Sequence, residues 1–138
     1  MPTLVTEPGF ADTATALAHF EHKLGVETDC SDVHESLKAG ADFVLVDVRG
    51  PKPFAAGHVP GAVNIPHRTM TAERMAQYPH ETAFVVYCAG PHCNGAAKGA
   101  IRLARLGYRV KEMVGGITGW RDEEFALERG PALDTQAA

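Results

Sequence analysis

Two cysteines, Cys88 and Cys93, lie in one short loop of small residues and carry the most reactive side chains of the chain. The loop follows an apolar run, Phe84 to Tyr87, that is typical of a buried strand, and it leads into a helical pattern. Free N–H groups and the positive dipole end at a helix N-terminus favour an anion, either a thiolate or a bound oxyanion. We therefore expect the pKa of Cys88 to fall and its thiol to act as a nucleophile. The alternative is an inert, buried cysteine that fills space.

A second apolar run also ends in side chains that could take part in chemistry, here a carboxylate and a guanidinium. Residues 43–48 are apolar except for Asp47, as in a strand buried on both faces of a parallel sheet, and Arg49 comes directly after. A buried carboxylate needs partners, so Asp47 and Arg49 are expected to pair, either as a structural ion pair or in support of a site.

The elements that position these residues alternate between strands and helices, which predicts an α/β fold with a mostly parallel sheet covered on both faces. Ligands bind outside the carboxyl ends of such strands, where Asp47 and Cys88 both lie. A first helix is expected at about 12–24 with Leu17, Phe20 and Leu24 as its apolar stripe. The other predicted elements are helices at 31–39, 70–78 and from Thr118 through Leu127, strands at 62–65 and 108–114, a helical turn at 54–56 and a connector at 26–30.

Composition narrows the class of protein. The chain of 138 residues fits one domain, and its net charge of −4 predicts no nucleic-acid or anionic-membrane partner. Three cysteines, an odd number, favour a reducing compartment over a disulfide framework. Without a signal-peptide pattern or a long apolar run, the expected location is the cytoplasm.

Five segments carry a family resemblance when they occur together in this order. They are VLVDVR (44–49), FAAGHVPGAVNIP (54–66), VVYC (85–88), LGY (106–108) and GGITGW (115–120). Over about Ser31 to Phe125, the chain resembles the rhodanese family. The resemblance implies a central, mostly parallel five-stranded sheet with helices on both faces, here with an extra N-terminal helix. The expected organisation is an N-terminal extension (1–30), a rhodanese domain (31–129) and a flexible tail (130–138).

The resemblance also implies the chemistry of the site. The Cys88 thiolate would take a sulfane sulfur from thiosulfate or from a low-molecular-weight or protein persulfide, form a persulfide, and pass the sulfur to a thiol or to cyanide. Cys88 and Cys93 are thus the predicted catalytic residues, with Asp47, Arg49 and His58 in support. The predicted substrate-binding residues belong to the loop: Ala89, Gly90, Pro91, His92, Asn94 and Gly95. No cofactor and no metal ligand are expected; a site built from Cys88, Cys93, His58, His67 and His92 lacks a regular ligand spacing.

The loop departs from the family pattern in ways that leave alternatives open. It is two residues longer and has no arginine or other basic residue, whereas the phosphatases and arsenate reductases of this scaffold need a positive clamp. Sulfur transfer therefore ranks above phosphoryl or arsenate chemistry, and a non-catalytic binding or sensing module is the main alternative. Cys93 either resolves the persulfide, closes a reversible disulfide with Cys88, or fills space. His92 could stabilise a thiolate.

Overall fold

Five parallel strands form one sheet, in the order β1-β5-β4-β2-β3. The structure is a computed structural model, and it describes residues 1–131. The strands are β1 (Glu27–Thr28), β2 (Val44–Asp47), β3 (Val63–Asn64), β4 (Ala83–Tyr87) and β5 (Arg109–Met113). The sheet confirms the predicted α/β fold with five parallel strands.

Within residues 1–131, six helices connect and cover the strands. They are α1 (Thr13–Val26), α2 (Cys30–Ala39), α3 (Pro51–Ala56), α4 (Ala72–Met75), α5 (Gly95–Arg105) and α6 (Gly116–Asp122), with a 3₁₀ turn at His67–Thr69. Asp12 caps α1 by accepting a hydrogen bond from the Thr15 amide at 2.9 Å, and Asp29 caps α2 through the Asp32 amide at 2.8 Å. Asp12 lies at the expected start of the first helix, and Asp29 lies two residues before the expected start of the second.

Alternation along the strands divides the core into two layers. Leu45, Val85 and Tyr87 pack on one face against α2, α3 and α6, and their neighbours Val46 and Val86 pack on the other face against α5. Cys88 falls on the second face, one residue beyond the end of β4. The continuous apolar runs of the sequence therefore reflect burial on both faces, as expected of a parallel sheet.

The N-terminal region differs most from expectation. Glu27 and Thr28, predicted to lie in a connector, form the edge strand β1 beside β5. A strand of two residues with a charged side chain gives no alternation that a sequence could reveal. The stripe of α1 is also not buried: Leu17, Phe20 and Leu24 are 60%, 57% and 69% exposed. The apolar spacing was present, but no element packs over it within residues 1–131.

Two other helices are shorter than predicted. The helix expected at 70–78 spans only Ala72–Met75, and α6 ends at Asp122, before Phe125 and Leu127. Both of these residues still pack against the core, from an extended segment. Glu124 lies between the end of α6 and these two residues, and its backbone has a left-handed conformation with φ of 61°. The predicted flexible tail, 130–138, lies outside the described residues except for Gly130 and Pro131.

Candidate active site

A buried ion pair anchors the carboxyl end of β2. Asp47 is fully buried, and Arg49 donates to both of its carboxylate oxygens, with Nη2 at 2.7 Å from Oδ2 and Nε at 3.0 Å from Oδ1. The same guanidinium donates to the Gly57 carbonyl at 2.7 Å. Asn64 ties down the turn between them by donating to the carbonyls of Asp47 and Arg49. The ion pair therefore has its hydrogen-bond partners within the chain, and it holds the end of β2 in place at the sheet edge where Cys88 lies.

The cysteine loop is held from the opposite side by α6. The Ile117 amide donates to the Cys88 carbonyl at 3.1 Å, and the amide and hydroxyl of Thr118 each donate to the Ala89 carbonyl at 3.0 Å. Gly116 has no room for a side chain, because a Cβ there would collide with the Cys88 carbonyl. These contacts use amides at the start of α6 to position the loop backbone.

The two loop thiols form one hydrogen-bonded pair. The side chains of Cys88 and Cys93 form a hydrogen bond with each other, and the Ala89 amide donates a hydrogen bond to both sulfurs. A turn closed by the Cys93 amide and the Gly90 carbonyl, at 3.0 Å, brings the second cysteine back toward the first. Gly95 completes the arrangement: a Cβ at this position would lie 2.8 Å from the Cys88 Sγ and 3.4 Å from the Cys93 Sγ. Both cysteines are free thiols.

The acidity of the pair is opposite to the sequence prediction. Burial raises the pKa of Cys88 to about 11, and the hydrogen bond with Cys93 adds to this increase, so the expected fall is wrong. The pKa of Cys93 is lowered, first by its hydrogen bond with Cys88 and further by the Gly95 amide and the charge of Lys98. In the reduced pair, Cys93 is therefore the more acidic thiol and loses its proton before Cys88, which acts as the hydrogen-bond donor.

A cleft of about 260 Å³ opens onto the thiol pair. Gly90, Pro91, Gly115 and Gly116 form much of its wall, together with two carboxylates that the sequence analysis did not select. These are Glu27 and Glu112, which face each other in the β1–β5 register. Burial, and then repulsion from Glu27, raises the pKa of Glu112. None of the cleft-lining side chains within residues 1–131 is basic.

The predicted site residues are brought together only in part. Cys88, Cys93, Gly90 and Pro91 line the cleft, and Ala89 and Gly95 contact the sulfurs. His92 and Asn94 are exposed and do not line it. The roles assigned to these loop residues stay predictions.

His58 lies in a different environment. It is buried with its ring stacked on Phe54 at 3.7 Å, its Nδ1 donates to the Phe54 carbonyl at 2.8 Å, and its Nε2 lies 3.4 Å from Glu128. These contacts join α3 to the segment after α6, and His58 does not line the cleft; its supporting role stays a prediction.

The carboxylates were missed because nothing local marks them. Glu27 and Glu112 are 85 positions apart in an ordinary charged background, and only the pairing of the first strand with the last brings them together. Gly116 and Thr118, by contrast, belong to the GGITGW segment, whose motif gave a usable signal.

Residues 1–131 contain neither a metal-binding cluster nor a membrane-spanning helix. No group of three or more histidine, cysteine, aspartate or glutamate side chains there is arranged to hold a metal ion. In the same part of the chain, no helix is long and apolar enough to cross a membrane.

Comparison with known proteins agrees with this fold. The family model of the Rhodanese-like domain matches residues 12–123, a range that includes α1. The chain belongs to the rhodanese-like domain family. A protein named sulfurtransferase from Allochromatium vinosum is 32% identical over 97 residues, which cover 68% of this chain and 86% of that protein.

Other relatives extend the comparison. The HTH-type transcriptional regulator Rv0324 of Mycobacterium tuberculosis is 35% identical over 130 residues, or 92% of this chain, but the chain spans only 55% of the regulator. The crystal structure of the BH2092 protein from Bacillus halodurans is similar with a TM-score of 0.82 and 37% identity, covering 86% of this chain and 87% of that one. A thiosulfate sulfurtransferase from Pseudomonas aeruginosa shares the fold (TM-score 0.68, 22% identity) over 80% of this chain and 21% of its own.

Proposed function

We propose that this chain is a sulfurtransferase in which Cys88 accepts a sulfane sulfur as a persulfide and passes it to a thiol or to cyanide. One observation carries the proposal. A free thiol at the carboxyl end of β4 lies at an open cleft beside a second thiol, and the deprotonated form of that second thiol can take its proton. Family membership and the sulfurtransferase-named relative support it. Free thiols also favour a reducing compartment such as the cytoplasm.

The charge of the cleft favours a particular donor. Thiosulfate is a dianion, and here it would approach two carboxylates, Glu27 and Glu112, with no basic side chain lining the cleft among residues 1–131. The nearby Arg49 is already paired with Asp47. Like charges in a confined cleft oppose binding, so a persulfide donor of lower charge density fits better than thiosulfate. The same lack of a cation argues against phosphoryl and arsenate chemistry.

The test is peptide mass spectrometry of the reduced chain after incubation with glutathione persulfide or thiosulfate, followed by cyanide as acceptor. We expect one added sulfur on the Cys88 peptide of the Cys93→Ser variant, thiocyanate as product, and faster loading from glutathione persulfide. Glu112→Gln should raise the rate with thiosulfate roughly tenfold while changing the glutathione persulfide rate less, because one repelling charge is removed. Failure of both donors to load Cys88 would contradict the proposal.

A sensing module is the second candidate, because a relative at 35% identity is named a transcriptional regulator and extends well beyond the matched region. Such a module would hold a sulfur on Cys88 without turnover. Steady thiocyanate production under excess donor and cyanide supports the enzyme, whereas a single loading event with no further product supports the module.

A further inference from the structure

The hydrogen bond between Cys88 and Cys93 joins two thiols of unequal exposure. Cys88 is 7% exposed, on the floor of the cleft, and Cys93 is half-buried nearer to solvent. Gly95 lies against both sulfurs, and a Cβ at this position would crowd the Cys88 Sγ at 2.8 Å and the Cys93 Sγ at 3.4 Å. A persulfide formed on Cys88 would therefore form in contact with a second sulfur.

The environment of Cys93 favours its thiolate. The Gly95 amide donates to the Cys93 Sγ at 3.4 Å, the Ala89 amide donates to it as well, and the charge of Lys98 acts in the same direction. A thiolate in contact with a disulfide-like S–S bond is the reactant that thiol–disulfide exchange requires. By contrast, the third cysteine, Cys30, is buried and donates to the carbonyls of Val114 and Gly116.

We propose that Cys93 is a resolving thiol that attacks the Cys88 persulfide, releases the outer sulfur as hydrosulfide and leaves a Cys88–Cys93 disulfide. This inference rests on the proposed function, because it needs the Cys88 persulfide as its substrate. The chain is then a sulfane-sulfur reductase, and a dithiol reductant is its co-substrate.

The steps balance with one proton moving inside the pair. Cys88 gives its proton to the Cys93 thiolate and attacks the sulfane sulfur of the donor; the donor S–S bond breaks, and sulfite or a thiolate leaves. The proton passes from Cys93 to the outer sulfur of the new persulfide, and the Cys93 thiolate attacks the Cys88 Sγ. The bond from Cys88 to the outer sulfur breaks, hydrosulfide leaves, and the sulfane sulfur is reduced while the two cysteines are oxidised. The dithiol then reduces the disulfide by two further exchanges.

The cleft suits this sequence of steps. It opens at the pair, so the small hydrosulfide ion can leave past Gly90 and Gly115 without a change of fold. The two carboxylates that line it, Glu27 and Glu112, repel an anionic product. The half-buried Cys93 sulfur gives an external dithiol access to the disulfide.

The experiment is a single turnover of the full reduced chain with one equivalent of glutathione persulfide and no reductant. Intact and peptide masses and released hydrosulfide are measured for wild type, Cys93→Ser, Cys93→Ala and Cys88→Ser. Cys30→Ser is the matched control, because Cys30 does not line the cleft and a serine hydroxyl keeps one donor near the carbonyls of Val114 and Gly116. Circular dichroism and thermal melting confirm that each variant folds, and a sample without protein gives the spontaneous release of hydrosulfide.

For wild type and Cys30→Ser we expect a loss of two hydrogens, a linked Cys88–Cys93 peptide pair and about one hydrosulfide per chain. Both Cys93 variants should keep one added sulfur on Cys88 and release at least roughly tenfold less hydrosulfide. With added dithiothreitol, hydrosulfide release above the rate without protein should be faster for wild type and Cys30→Ser than for the Cys93 variants, in which dithiothreitol must attack the Cys88 persulfide directly.

Two outcomes overturn the resolving role. If wild type keeps the added sulfur on Cys88 as long as the Cys93 variants do, the proposal fails and the sulfurtransferase proposal stands. If the sulfur is found on Cys93 in Cys88→Ser and wild type still releases hydrosulfide, the two thiols have exchanged roles. Absence of any added sulfur in the Cys93 variants, with no hydrosulfide from wild type, contradicts the sulfurtransferase proposal itself.

Discussion

At the scale of single residues, the two thiols differ in acidity and in burial: the more acidic thiol is the more exposed one, and the less acidic thiol is buried. Cys93 is the more acidic because it accepts a hydrogen bond from Cys88, and Cys88 is the less acidic chiefly because it is buried. A thiolate of higher pKa is intrinsically the stronger nucleophile once it forms. The buried thiol is therefore suited to attack, and the accessible thiol, once deprotonated, can accept the proton that Cys88 gives up.

The hydrogen bond predicts how Cys93 titrates when its partner changes. Cys88→Ala removes the donor, so the pKa of Cys93 should rise toward its ordinary value of 9.0, whereas Cys88→Ser keeps an O–H donor and should hold the pKa lower. The measurement is the rate of Cys93 alkylation by iodoacetamide against pH in the two variants. Equal midpoints would show that the bond does not set the acidity of Cys93.

Gly95 controls the contact between the sulfurs. A Cβ at this position would lie 2.8 Å from the Cys88 Sγ, so Gly95→Ala should displace the thiols and lower the rate of sulfur loading by about tenfold to a hundredfold. The matched control is Gly25→Ala in α1, where nothing lies within 4 Å of a new Cβ. The control should leave the rate unchanged and stabilise the fold by about 0.5 kcal/mol. Equal rates in both variants would refute the role of Gly95.

At the scale of elements, the end of α6 carries a local strain that a substitution can relieve. Glu124 has φ of 61° just after the last helical turn, where glycine is usual. Glu124→Gly should raise the free energy of unfolding by about 1 kcal/mol, since the left-handed conformation costs a residue with a Cβ more than it costs glycine.

The neighbouring Glu123 provides the control. Its backbone is right-handed, with φ of −81°, so Glu123→Gly should lower the free energy of unfolding by about 0.5–1 kcal/mol. Urea titration of the three proteins measures both changes. A loss of stability in Glu124→Gly would contradict the strain argument.

Elements whose residues carry a local sequence pattern could be predicted from the sequence. Elements that form only because another strand lies beside them could not. The run ending at Tyr87 and the capped start of α1 after Asp12 follow from local chemistry. The strand Glu27–Thr28 exists because β5 lies beside it. The same reason explains the site: the cysteine loop was identified from its residues, but the carboxylates and the reversed thiol acidity depend on burial and on contacts between distant segments.

At the scale of the whole molecule, Glu112 makes stability depend on pH. Its pKa is raised in the folded chain, so its favourable contribution is complete below the ordinary value of 4.5 and is lost as the pH rises through the folded pKa. Glu112→Gln should therefore be more stable than wild type at neutral pH, and this gain should disappear on acidification.

Urea unfolding at a series of acidic to neutral pH values measures that difference. Glu27→Gln is the companion variant: it removes the repulsion on Glu112 and should narrow the pH range over which stability changes, without abolishing the dependence. Parallel stability curves for wild type and Glu112→Gln would contradict the assignment.

The pairing of β1 with β5 also means that the sheet can be completed only after β5 has been synthesised. During synthesis the first strand leaves the ribosome early, yet its place in the sheet is formed only after Met113 has been made. Until then the edge of β4 that later binds β5 is unpaired, and such an edge is a template for association with other chains. The nascent chain therefore exposes an unpaired strand edge until β5 inserts between two strands that are already made.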